Sequence, residues 1–337
     1  MYQDFNQFRP KERNKKKKAG KILFLLVSYS LIFLFFNHTI EGKPKESENL
    51  TAGNTENSGN FLSTITKPKT KSEPEKEVMG VSLSLEQKIK TELEGAKGTY
   101  AISIKNLRTD DKYNLNEGKT FDSGSLYKLW VMATVYKKIQ NGEIKEDDEI
   151  SEDIAALNRR FGIAEEDAEL KEGGINMTYA TALNQMITIS HNYAALLLTD
   201  KIKLSSTRAF LQKNNFKASS VGTIEDLPTT TSSDMALFME KLYKGELANP
   251  EYTVKMLDLL KKQKLNNKLP HYLPLGTIIA HKTGELGQVT HDVGIVYTPK
   301  GDYVMAVLSE SESPKGAEDR IALVSKAVFE YFSSTDN

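Results

Sequence analysis

Ser125 and Lys128 stand three residues apart at the opening of a helical pattern that runs from Leu126 to Asn141. That spacing sets them on adjacent turns of one face, with an amine in reach of a hydroxyl. A serine hydroxyl is a weak nucleophile until a base removes its proton. Lysine can be that base only where burial or a neighbouring cation lowers its pKa. At a helix start the backbone N–H of Ser125 is also unpaired and available to a developing oxyanion. The plainer alternative for these two residues is a helix start with a snorkelling lysine.

Two further triplets carry usable groups. Ser190-His191-Asn192 lies at a junction between two helical patterns, where a hydroxyl can relay protons and an amide can hold a substrate carbonyl or N–H; it also has the composition of a helix cap. Lys282-Thr283-Gly284 closes an alternating strand pattern. There a lysine and a hydroxyl can bind a carboxylate, Gly284 lets a ligand approach the backbone, and the N–H of Glu285 can serve as a second oxyanion donor. Its alternative is an ordinary strand end with a solvated lysine.

The elements that must position these groups follow from periodicity. Helical patterns cover Ser84 to Glu94, Leu126 to Asn141, Thr178 to Thr188, Tyr193 to Lys201, Ser205 to Asn214, Ser233 to Tyr243, Pro250 to Lys261 and Pro314 to Phe332. Strand patterns cover Thr99 to Asn106, Lys112 to Asn116, Thr277 to Thr283, His291 to Tyr297 and Tyr303 to Ser309. The first turns after Leu126 are apolar on nearly every side, which predicts a helix in the middle of the domain. Strands at both ends around a helical middle predict an α+β domain over 81–335, an antiparallel sheet flanked by helices with an all-helical subdomain.

Taken together and in this order, S-x-x-K, S-x-N and K-T-G resemble the signature set of class A β-lactamases and penicillin-binding proteins. Thr229-Thr230-Thr231 before a helix is similar to the segment that follows the class A Ω-loop, and HKTGELGQVTHDVGIVY to the strand and hairpin carrying K-T-G. The resemblance implies Ser125 as acylated nucleophile, Lys128 as base and Ser190 as proton shuttle. It further implies Asn192 as ligand of a substrate amide, and Lys282 with Thr283 as carboxylate anchors. The implied substrate is a β-lactam or the peptidoglycan peptide it mimics, handled without metal or cofactor by a monomeric catalytic domain. Hydrolysis of β-lactams is the leading expectation; a D,D-peptidase or a trap that stays acylated are the alternatives.

Two departures from that family pattern bear on the chemistry. His191 replaces the usual aspartate between Ser190 and Asn192, and no E-x-x-L-N, whose glutamate activates the deacylating water, lies between Asn192 and Lys282. The segment from Phe216 to Thr231 looks like a shortened Ω-loop whose only acids are Glu225 and Asp226, which makes Glu225 a candidate substitute base and otherwise a solvated loop acid.

Composition removes other classes. The 337 residues include no cysteine, which excludes disulfides, thiolate metal sites and cysteine nucleophiles. The five histidines show no metal-ligand spacing, and His281 and His291 are expected in hydrogen bonds near the site. Tyr127 and Trp130 read as core packing, the acidic run Glu165 to Glu172 with Gly173-Gly174 as a surface excursion, and Lys261 to Lys268 as a solvated helix end.

Lys+Arg and Asp+Glu number 45 each, yet residues 1–21 hold eight Lys/Arg against two acids, a basic cytoplasmic tail rather than a nucleic-acid footprint. Residues 22–40 carry no charge and, at about 28 Å as a helix, are long enough to span a bilayer as an uncleaved signal anchor. The positive-inside bias then puts the rest of this single-pass chain outside the cell membrane. Residues 41–80, rich in Lys, Glu, Ser, Thr, Asn and Pro, read as a disordered linker.

Overall fold

The structure, a computed structural model, describes residues 84–223 and 226–334. The expected tail, anchor and linker and the candidate base Glu225 lie outside the described residues. In chain order the elements are α1 (Leu85–Leu93), β1 (Thr99–Asn106), β2 (Lys112–Leu115), β3 (Phe121–Asp122), α2 (Tyr127–Gln140), β4 (Glu149–Asp153), α3 (Ile154–Arg160), β5 (Gly174–Thr178), α4 (Tyr179–Thr188), α5 (Asn192–Ile202), α6 (Leu204–Lys213), β6 (Thr229–Thr230), α7 (Ser232–Tyr243), α8 (Pro250–Lys261), β7 (Ile278–Leu286), β8 (Val289–Tyr297), β9 (Tyr303–Glu310) and α9 (Pro314–Ser334). A short 3-10 turn, Gly124–Leu126, leads into α2.

Five strands form one sheet in the order β2-β1-β9-β8-β7, every neighbouring pair antiparallel. The α+β expectation is met. Alternation along the strands divides the sheet between two cores. Ile102, Ile104, Met305 and Val307 pack with Ile89, Ile321, Val324 and Val328 from α1 and α9. Ala101, Ala306 and Leu308 join the other core, which surrounds α2. There Leu129 through Tyr136 are buried without interruption, as an all-apolar helix surface requires. Trp130 is fully enclosed, in keeping with packing rather than ligand stacking.

Elements that periodicity missed, β4, α3 and β5, occupy the stretch between α2 and α4. Asp153 starts α3 by accepting a hydrogen bond from the Ala156 N–H at 2.8 Å, and β4 pairs antiparallel with β5, which begins at Gly174. The acidic run that precedes Gly173-Gly174 is exposed in large part, as expected, but Glu169 within it turns toward α5 and the groups described next.

Candidate active site

The turn that carries Ser125 is fixed from three sides. On one side β3 pairs with β6, placing Phe121 opposite Thr230 and Asp122 opposite Thr229, and the Ser123 N–H donates to the Pro228 carbonyl at 2.7 Å. On another, His291 donates from Nε2 to the Asp122 carbonyl at 2.8 Å, while its Nδ1 accepts from the Ser309 N–H at 3.1 Å. Both bonds need the neutral ring, and burial lowers the imidazole to about 4. Gly124 sits at φ +48, where a side chain is strained, and a Cβ there would lie 2.7 Å from the Glu285 nitrogen. Gly284 presses equally close, since its Cβ would meet the Ser123 carbonyl oxygen and Leu126 Cγ at 2.8 Å. Strand β7, at the edge of the sheet, therefore lies directly against the Ser125 turn with the Glu285 nitrogen beside it.

In the first turn of α2, Lys128 is completely buried. Its Nζ donates to the Ser190 carbonyl at 2.6 Å and to Asn192 Oδ1 at 2.7 Å, and lies 3.2 Å from Ser190 Oγ. Among the described residues no hydrogen bond joins Lys128 to the Ser125 hydroxyl, and Ser125 as a whole is half-buried. From the opposite wall the equally buried Lys282 donates to Ser190 Oγ at 3.1 Å and to the Thr283 carbonyl at 2.9 Å. One hydroxyl thus stands between two lysines.

Burial pushes both amines down: Lys128 well below its ordinary value, with the Lys282 charge acting in the same sense, and Lys282 to about 7. Asp292 and Glu285 favour the charged form of Lys282, whereas Lys128 has only Glu169. The arrangement therefore favours a free amine at Lys128 and the proton at Lys282. A free amine one turn from a hydroxyl can take its proton, and Ser190 can pass it on.

Ser190 holds a left-handed backbone, φ 59, and such strain in a non-glycine residue is characteristic of functional positions. His191 caps α5, its Nδ1 accepting from the Ala194 N–H at 3.1 Å, and burial keeps the ring neutral so that the lone pair is free. An imidazole therefore performs the capping that an aspartate at this position would supply. The triplet is both a cap and a wall of the site.

His281 and His291 are hydrogen-bonded beside the site, as expected. His281 Nδ1 pairs with Asp292 at 3.0 Å and its Nε2 with Asn266 at 3.0 Å. Two residues escaped the sequence reading. Glu169 Oε1 accepts from Asn192 Nδ2 at 2.5 Å, so a carboxylate already occupies the donor expected to hold a substrate amide. Lys268, expected in a solvated patch, is fully buried and ion-paired with Glu285. Nothing in the local pattern marks Glu169, because the excursion bearing it has no periodicity; for Lys268, the apolar Leu265 and Leu269 on either side hinted at burial.

Ser125 with Lys128, Ser190 with Asn192, and Lys282 through Gly284 are thus brought to one place on this α+β frame. A profile of the β-lactamase enzyme family matches residues 84–332. The chain belongs to this family. β-Lactamase VEB-1 of Pseudomonas aeruginosa is 23% identical over 265 residues, 72% of this chain and 87% of that one. Among solved structures, a β-lactamase of Sphaerobacter thermophilus superposes with a TM-score of 0.65 at 24% identity, over 75% of this chain and 98% of the other. A PBP-A mutant captured as its acyl-enzyme complex with penicillin G gives a TM-score of 0.65 at 23% identity, over 74% and 96%. At these identities the structural likeness speaks to the fold, and the family membership rests on the profile.

Proposed function

We propose that this family member is a serine acyl-hydrolase that opens β-lactam rings through an ester at Ser125. The observation that carries the reading is the buried Lys128, tied to Ser190 and Asn192 one turn from Ser125, with the Glu285 nitrogen against the same turn. Lys128 Nζ takes the Ser125 hydroxyl proton as Oγ attacks the lactam carbonyl carbon, and the oxyanion receives the N–H groups of Ser125 and Glu285. The C–N bond breaks, and the proton reaches the departing nitrogen from Lys128 through Ser190. Lys282 and Thr283 hold the substrate carboxylate, and Asn192 its side-chain amide. Water then adds to the ester carbon and returns Oγ–H to Ser125.

Absence of E-x-x-L-N from the sequence between Asn192 and Lys282 favours a second reading, in which the ester is long-lived and the enzyme is a penicillin-binding D,D-peptidase or a trap. Intact-mass time courses with excess benzylpenicillin separate the two. A transient adduct of the full chain in detergent, absent in Ser125→Ala, is expected for hydrolysis; an adduct lasting hours means the second reading, and undiminished labelling of Ser125→Ala refutes both. We further place the domain outside the cell membrane, tethered by residues 22–40, because the basic tail precedes that apolar stretch. Protease shaving of intact cells that spares the domain would overturn this placement.

A further inference from the structure

Side chains alternate along β7, so His281, Thr283 and Glu285 share one face and Lys282 the other. Asp292 stands opposite Thr283 in the register of β8, on that first face. Its carboxylate accepts from the Leu269 N–H at 3.1 Å, which lays the segment Lys268-Leu269 against the same surface. Lys268 therefore brings a second ammonium to the neighbourhood of Thr283, where the proposed function holds a substrate carboxylate.

That ammonium is not open to a ligand. The Lys268 side chain has 0% exposure, and a cation so enclosed requires a counter-charge. Asp292 is engaged by His281 and by the Leu269 N–H, and the ion-pair partner of Lys268 is Glu285. Glu285 itself is 36% exposed, at the lip of the site, and its backbone nitrogen is the one pressed against Gly124. A carboxylate of the protein thus stands where a carboxylate of the substrate would find its second cation.

We infer that Glu285 is a specificity-determining residue: its side chain is an internal substitute for the substrate carboxylate, and an anionic substrate must displace it from Lys268. The inference rests on the acyl-enzyme reading of Ser125. It assigns the site a weaker preference for substrates whose carboxylate lies at Thr283 than Lys282 and an unpaired Lys268 would give together. Glu285 can swing outward from its exposed end while the arriving carboxylate replaces it as the counter-charge that buried Lys268 requires, so the pair is a displaceable cover rather than a fixed block.

Benzylpenicillin and its methyl ester are the two probes, and the readout is the ratio of their second-order rates of adduct formation on the full chain, a ratio independent of the fraction of active protein. Glu285→Gln should raise the acid-to-ester ratio about tenfold, because Lys268 is left to the substrate. Lys268→Met should lower it about tenfold, because Glu285 then faces the incoming carboxylate with no cation between them. The opposite signs keep the test decisive when one variant fails to fold. Shifts in the same direction, or no shift in either, overturn the inference. If neither probe labels the wild-type chain, the acyl-enzyme reading itself falls and takes this one with it.

Discussion

Acidification should destabilise this domain through a single buried ring. His291 must be neutral to accept from Ser309 and donate to Asp122, and its folded-state pKa is lowered from 6.5 to about 4. For a base with a depressed pKa the unfolded chain binds the extra proton first. The stabilising contribution is therefore complete above pH 6.5 and is lost as pH falls toward 4. Over that interval of about 2.5 units, with half-protonation of the folded form at its end, the loss by pH 4 is about 3 kcal/mol. Urea unfolding at half-unit steps from pH 7.5 to 4 measures it. Carboxylates also titrate in this range, so the quantity to compare is the slope of wild type against His291→Gln, which cannot take up the proton and keeps a donor and an acceptor. The variant should be less stable at pH 7 yet lose about 3 kcal/mol less on acidification. Parallel pH curves for the two proteins would refute the neutral, buried His291 as the pin of the Ser125 turn.

Lys282 gives the opposite dependence: its ammonium is lost as pH rises through about 7, so the acid-to-ester ratio of acylation rates should fall steadily from pH 7 to 9, and a flat ratio would remove Lys282 from carboxylate binding. Replacing Glu169 by Ala frees Asn192 Nδ2 and removes the negative charge that favours protonated Lys128. Affinity for a penicillin with a side-chain amide should improve by about 1 kcal/mol, and the acid limb of the acylation profile should move to lower pH; unchanged values of both would make the Glu169 contact incidental. Gly284→Ala drives a methyl into the Ser123 carbonyl and Leu126, and should cost about 1–3 kcal/mol in thermal or urea unfolding and slow acylation more than tenfold, whereas Gly118→Ala, with open space around it, should do neither.

Periodicity was a sound guide wherever an element is long and one-sided. β1 spans Thr99–Asn106 and α8 Pro250–Lys261, as alternation and helical periodicity require, and the apolar surface of α2 placed it at the centre. The strands β7 and β8 run a few residues past the expected ends because their pairing continues to Leu286 and Val289. What stayed hidden was short or tertiary. The 3-10 turn before α2 replaces the expected direct helix start, since Gly124 takes a left-handed conformation under pressure from β7. Lys268 looks solvated in a lysine-rich stretch despite the flanking Leu265 and Leu269, and the fold of the segment before β7 carries it under Glu285. Three motifs foretold which residues would meet, the Glu285 nitrogen among them; no spacing could foretell that the side chains of Glu169 and Glu285 would pair with Asn192 and Lys268.

The main sheet is closed by the two extremes of the domain. β1 and β2 come from its beginning and β7, β8 and β9 from its end, with β1 paired along its whole length to β9. Joining strands about two hundred residues apart carries a large loop-closure cost and makes assembly slow. Lys282, the Glu285 nitrogen and the His291 pin all belong to the last strands synthesised. A ribosome releasing this chain from the N-terminus thus delivers Ser125 and Lys128 early and without their surroundings. The surroundings of Ser125 and Lys128 are therefore complete only when the final hairpin has joined the sheet.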